Sequence, residues 1–234
     1  MALSPTHLER ATLLHHPVGV STGWLSAEER SRGALPPAWS VLAGWARRHG
    51  DSACELAALG EPELPSLVEW LESRPKLPFD FLSVHAPSKH RVMPEAELVD
   101  LLARIAGAVD AIVLHPDVIV EHAQWRRLGH TLAIENMDPR KGDGQTAESL
   151  ARHFEELPEA GLCFDVAHAY AIDPSLSEGH LILDRFGGRL RHLHVSALDV
   201  RHHHVALDAA GERRIAPLLE RCRDVPWLLE APLA

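Results

Sequence analysis

The sequence predicts a single (β/α)8 TIM barrel, compact and spanning residues 1–234. Three observations predict it. Eight short apolar segments alternate with helical ones, and such alternation gives parallel strands with right-handed helical crossovers. Eight units of this kind close most naturally into a barrel, and the length fits one. Several apolar segments also end in His, Asp or Glu, as strands do when they deliver side chains to one shared rim. An open doubly wound sheet is the competing architecture. Its dinucleotide-binding version finds no support, since no Gly-x-Gly-x-x-Gly follows the first strand.

The elements follow in order. Pro17 to Ser21 reads as the first strand, followed by a loop rich in Gly and Pro. Residues 38–49 have helical spacing, with Trp39, Leu42 and Trp45 apolar and Gly50 as a stop. Ala53 to Ala58 is the second strand, and Pro65 to Ser73 a helix with Leu67, Trp70 and Leu71 on one face. Phe79 to Val84 ends at His85-Ala-Pro. A helix over 94–109 has Pro in its first turn and acidic residues after it, as helix starts prefer. Ala111 to Leu114 ends at His115-Pro, with a helix over 121–128 beyond it. Thr131 to Ile134 ends at Glu135-Asn-Met-Asp and leads to a helix over 146–157 capped by Thr146.

Gly161 to Phe164 delivers Asp165, with His168 three residues on. A helix over 175–186 precedes the strand Leu190 to Val195, which carries His192 and His194. A helix over 211–222 and the strand Val225 to Leu229, ending at Glu230-Ala-Pro, complete the set. A final covering helix is missing, and the N-terminal segment is expected to cover that gap.

Composition narrows the function. A net charge of −10 argues against a broad nucleic-acid-binding surface, because phosphate binding rests on Lys and Arg. Lys76, Lys89 and Lys141 are the only lysines, leaving few candidates for a Schiff base. Cys54, Cys163 and Cys222 are odd in number and widely spaced, so they read as reduced thiols packed as small hydrophobes. No apolar run reaches membrane-spanning length and no signal peptide is recognisable, which gives a cytoplasmic expectation with no membrane partner. His7, His15, His16, His49 and His153 read as incidental among the 17 histidines.

The rim of such a barrel would gather His85, His115, Glu135, Asp165, His168, His192 or His194, and Glu230. Imidazoles and carboxylates are the donor set of Zn, Mn, Co or Mg sites. Converging carboxylates repel one another, and a divalent cation removes that cost. Singly, each residue has a mundane use: a His can anchor a loop, and an Asp or Glu can cap the next helix. Six strand ends would then each need an unrelated reason. His202-His203-His204 reads either as a solvated loop or as a ligand-bearing one. His202 and His204 face the same way if that loop is extended.

The motifs Val84-His85-Ala-Pro, Leu114-His115-Pro-Asp, Ile134-Glu135-Asn, Phe164-Asp165-Val-Ala-His168-Ala, His192-Leu-His194 and Leu229-Glu230-Ala-Pro resemble the xylose-isomerase-like TIM barrel superfamily. It includes sugar isomerases and epimerases and the endonuclease IV-like enzymes. The resemblance runs from about residue 17 to the C-terminus. It implies a core metal site of Glu135, Asp165, one of His192 and His194, and Glu230. The endonuclease branch adds two further zinc ions, for which His85, His115 and His168 match ligands. That branch's late Asp-Arg-His motif is replaced here by His202-His203-His204, with Asp199 slightly upstream.

Three functions follow as expectations, with one to three divalent ions as cofactor. The first is a metal-dependent isomerase or epimerase of a sugar or sugar phosphate. Its metal stabilises an enediolate, Glu135 and Glu230 serve as acid and base, and His168 contacts the substrate. The second is an endonuclease IV-like phosphodiesterase acting on abasic DNA. The loop Ser88-Lys-His-Arg-Val lacks an aromatic residue to fill a distorted duplex, and the acidic chain gives DNA little attraction. The third is a non-catalytic barrel binding a metal or small ligand. The partner is therefore a sugar-like small molecule ahead of nucleic acid, and the sequence leaves the oligomeric state open.

Overall fold

Parallel strands covered by helices on the outside and side chains on the inside are buried on both faces, so they run nearly unbroken in apolar residues. Eight segments form parallel strands of this kind, most of them buried throughout, in a computed structural model that describes residues 16–27, 37–89 and 91–233. They are β1 (Val18–Ser21), β2 (Ala53–Ala57), β3 (Phe81–His85), β4 (Ala111–Leu114), β5 (Leu132–Glu135), β6 (Gly161–Asp165), β7 (Leu190–Val195) and β10 (Trp227–Leu229). The strands β8 (Ala197–Leu198) and β9 (His204–Val205) form a separate antiparallel ribbon. The eight pair in parallel in the order β1-β10-β7-β6-β5-β4-β3-β2, and β1 pairs with β2 to close the barrel. The eight expected strands are these eight.

Helices cover the outside with one apolar stripe each. Leu64–Glu72 buries Leu64, Leu67, Val68 and Leu71, and Glu95–Ile105 buries Leu98, Val99, Leu102 and Ile105. Spacings of three and four residues put each set on one face. Thr146 caps the helix Ala147–Glu156 through a reciprocal bond with Ser149, as its sequence predicts.

Several boundaries move for local reasons. The helix expected over 121–128 is α-helical only at His122–Trp125, and Gly129 at φ 53°, ψ −133° breaks the turns that follow. The helix expected from 211 begins at Ala209, because Asp208 accepts a 2.6 Å bond from Gly211 N. Two further helices, Thr22–Leu25 and Val166–Ile172, fall where loop was expected. The second exists because Asp165 caps it, accepting from His168 N at 2.7 Å.

Among the described residues no helix follows β10. Residues 1–15, expected to cover that gap, lie outside the described residues. His16 lies at the N-terminal end of the barrel, its ring stacked on Trp227 at 3.8 Å between centroids and bonded to Arg223 O at 3.0 Å. His153 is also more than incidental: it is buried, between His122 at 2.9 Å and Asp143 at 2.8 Å. The three thiols are buried and free, and burial pushes Cys222 up to about 12. Among the described residues no helix is long and apolar enough to cross a membrane.

Candidate metal centre

Parallel register decides which side chains meet. Asp165 on β6 lies beside His194 on β7, and Cys163 on β6 lies beside both Glu135 on β5 and His192. His192 is thus two residues below His194, a displacement of about 6–7 Å along the strand. His194 reaches the rim with Glu135 and Asp165, while His192 sits deeper. Both nitrogens of His192 are buried without a hydrogen bond, and its ring lies 5.2 Å from Phe81. Burial holds it neutral, with a pKa lowered to about 3.

Three groups of side chains form on the rim, each with one donor atom per residue within 4.8 Å of the others. They are His85–His115–Glu135, Glu135–Asp165–His194–Glu230, and Asp165–His168–His204. Glu135 belongs to the first two and Asp165 to the last two. The structure therefore brings together eight of the ten sequence-derived candidates as one chain of linked groups. A fourth group, Cys163–His192–His194, lies inside the barrel beneath them.

The rings of His85, His168 and His194 are held from behind, whereas His115 Nδ1 makes no hydrogen bond. His85 Nδ1 bonds to Ala86 O at 2.9 Å, which leaves Nε2 facing Glu135 Oε2 at 3.3 Å. His115 Nε2 reaches the same oxygen at 3.2 Å. His168 Nδ1 bonds to Asn136 O at 2.9 Å, and Nε2 is free of hydrogen bonds, 3.7 Å from Asp138. His194 Nδ1 faces Glu135 Oε1 at 3.1 Å and Glu230 Oε1 at 3.5 Å. Metal-binding imidazoles are oriented in this way, with one nitrogen bonded outward and the other presented.

His204, on β9, is 3.3 Å from Glu230 Oε2 and bonds Ser196 Oγ at 2.8 Å. His202 stays outside the three groups. Its φ of 58° is left-handed, so the loop is not extended there.

The carboxylates are crowded. Burial would push the Glu135 carboxyl up, but His194, His115 and His85 outweigh it and hold it well below the usual range. Burial raises Glu230 well above the usual range, and Asp165, Glu135 and Glu55 add to the rise against the pull of His194. Burial lowers His204 to about 4. Asp165 Oδ2, His168 Nε2 and Glu230 Oε2 are buried and make no hydrogen bond. An unpaired buried polar atom costs about 1–3 kcal/mol, and several converging on one place fit a bound cation.

Sequence reading missed Glu55 and Asp138. Glu55, fully buried in mid-strand on β2, lies 2.9 Å from His194 Nε2. Its signal was a carboxylate inside the apolar run Ala53-Cys-Glu-Leu-Ala, which demands a partner. Asp138, three residues past Glu135, anchors Arg140 through Nη2–Oδ2 at 2.6 Å.

Similar proteins agree with this architecture. Among curated proteins, none matches the chain. A Mycobacterium smegmatis protein solved as a xylose isomerase-like TIM barrel in complex with magnesium has a TM-score of 0.56 at 13% identity, covering 92% of this chain and 90% of that one. The probable 3-DHS dehydratase AsbF of Bacillus anthracis, involved in petrobactin synthesis, has a TM-score of 0.53 at 11% identity, with 92% of each chain covered. A xylose isomerase domain containing protein from Salmonella typhimurium has a TM-score of 0.50 at 15% identity, covering 78% and 79%. At these identities the likeness is one of fold. The model of the family described as xylose isomerase-like TIM barrel matches residues 84–222, more than half the chain and every rim candidate except Glu230. The chain belongs to the xylose isomerase-like TIM barrel family.

Proposed function

We propose that this barrel is a multinuclear divalent-metal hydrolase that cleaves a phosphodiester bond in a small sugar-phosphate-type substrate. The observation that carries the proposal is the linkage of three donor groups through Glu135 and Asp165. A single-ion centre needs only Glu135, Asp165, His194 and Glu230. It leaves His85, His115, His168 and His204 converging without a common purpose.

Divalent cations held there would polarise a phosphoryl oxygen and acidify a water molecule. His85, His115 and Glu135 would hold one ion, Glu135, Asp165, His194 and Glu230 a second, and Asp165, His168 and His204 a third. The two carboxylates shared between groups would keep such ions close together. Arg140 places a guanidinium next to the His168 side of the centre, where it suits a phosphate. Exposure rises from 0% at His194 through 13% at His115 and Glu230 to 27% at His204, which puts the entrance on the His115 and His204 sides. A net charge of −10 favours a small substrate over a long duplex.

The second reading, a sugar isomerase or epimerase, is favoured by one relationship. Glu135 and Glu230 both approach His194 Nδ1, at 3.1 and 3.5 Å, as an acid–base pair around one ion would.

Zinc- or manganese-loaded protein assayed on bis-p-nitrophenyl phosphate, an abasic duplex and a panel of ketoses separates these readings. Hydrolysis of the small diester is expected. Ketose conversion with intact phosphodiesters establishes the isomerase, efficient nicking of the duplex establishes the nuclease, and blank assays from metal-loaded protein establish a binding barrel.

A further inference from the structure

Glu55 is a fully buried carboxylate in mid-strand on β2, inside a barrel whose other buried side chains include Ala111, Val113, Ala133 and Cys163. Burying an ion among such residues costs several kcal/mol unless a partner compensates. Burial pushes the Glu55 carboxyl up, and the imidazoles of His194 and His85 outweigh it. His194 makes the direct contact, Nε2 to Glu55 Oε2 at 2.9 Å, and Ser83 Oγ donates to the same oxygen at 3.3 Å. The other nitrogen of His194 faces Glu135 at 3.1 Å and Glu230 at 3.5 Å. The ring therefore stands between two sets of carboxylates, one deep in the barrel and one on the rim.

We propose that Glu55 is the positioning residue for His194, holding a proton on Nε2 so that the Nδ1 lone pair is presented to the ion. This rests on the metal reading of the rim in the proposed function. A neutral imidazole carries one proton and binds metal through its other nitrogen, so whatever fixes the proton fixes the ligand atom. An anionic acceptor on Nε2 also raises the electron density at Nδ1 and locks the ring plane. A glutamine at position 55 can offer an amide N–H instead and admit the opposite tautomer.

Two measurements test this. Zinc affinity is read by chelator competition on wild-type, Glu55→Gln and Glu55→Asp protein. The proton position on His194 is read by long-range 1H–15N NMR of the zinc-loaded wild type. Glu55→Gln is expected to weaken the ion held by His194 by about 10–100-fold, the usual effect of losing such a partner. Glu55→Asp, which keeps the charge, recovers part of that loss, and the wild-type spectrum shows Nε2 protonated. A folded Glu55→Gln protein with wild-type affinity, or a proton on Nδ1, overturns the role of Glu55 and leaves the metal centre standing. A wild-type protein that takes up no zinc overturns both. Should Glu55→Gln fail to fold, the wild-type spectrum decides.

Discussion

Asn136 grips the backbone of Asp165 from both sides. Its Nδ2 donates to Asp165 O at 2.9 Å, and its Oδ1 accepts from Asp165 N at 2.8 Å. The carbonyl of Asn136 also receives His168 Nδ1 at 2.9 Å. One side chain thus sets the end of β6 against the end of β5, fixing the distance between Glu135 and Asp165. Asn136→Ala leaves a buried N–H and C=O unpaired. We expect a stability loss of about 2–4 kcal/mol in urea unfolding and a lower metal content in elemental analysis. A variant with wild-type stability and metal content would contradict this.

Glu61 organises the loop after β3 in a similar way. Its carboxylate accepts from Val92 N at 2.9 Å and from Met93 N at 2.9–3.0 Å, with Arg91 Nε at 3.4 Å. Burial pushes this carboxyl up, but those donors outweigh it and hold it below its ordinary 4.5. The folded pKa is depressed, so the stabilisation is complete above about pH 4.5 and is lost as pH falls through the folded pKa. Glu61→Gln should cost about 2 kcal/mol at pH 7. The gap from wild type should close in acid. A gap independent of pH would show that the charge is not responsible.

His192→Leu separates the two histidines of β7. His192 makes no hydrogen bond at either nitrogen and lies below the rim. Replacing an unpaired buried polar group by an apolar one of similar size is neutral or stabilising by about 1 kcal/mol. Metal content should be unchanged, whereas His194→Ala should lose an ion. If His192→Leu also lost an ion, the centre would extend into the barrel through Cys163 and His192.

The barrel was legible because its strands announce themselves as apolar runs ended by a carboxylate or histidine. His85, His115, Glu135, Asp165 and Glu230 all stand at such ends. Choosing His194 over His192 needed the register of β7 against β6, which no single-chain pattern contains. The helix Val166–Ile172 was hidden because capping and ligation stand as alternatives for Asp165 in the sequence, whereas one oxygen caps that helix and the other faces the rim. Glu55 shows in the sequence as a carboxylate inside an apolar run, but its partner His194 lies 139 residues away and nothing local identifies it. His202 and His204 could be separated only by the left-handed turn at His202.

The central claim is that several ions share one linked centre. Elemental analysis of protein purified without chelator, expressed as divalent ions per chain, tests it most directly. Two or three ions per wild-type chain are expected, falling in Glu135→Gln and in Asp165→Asn because each residue belongs to two donor groups. A single ion per chain, or full metal content in both variants, would contradict it.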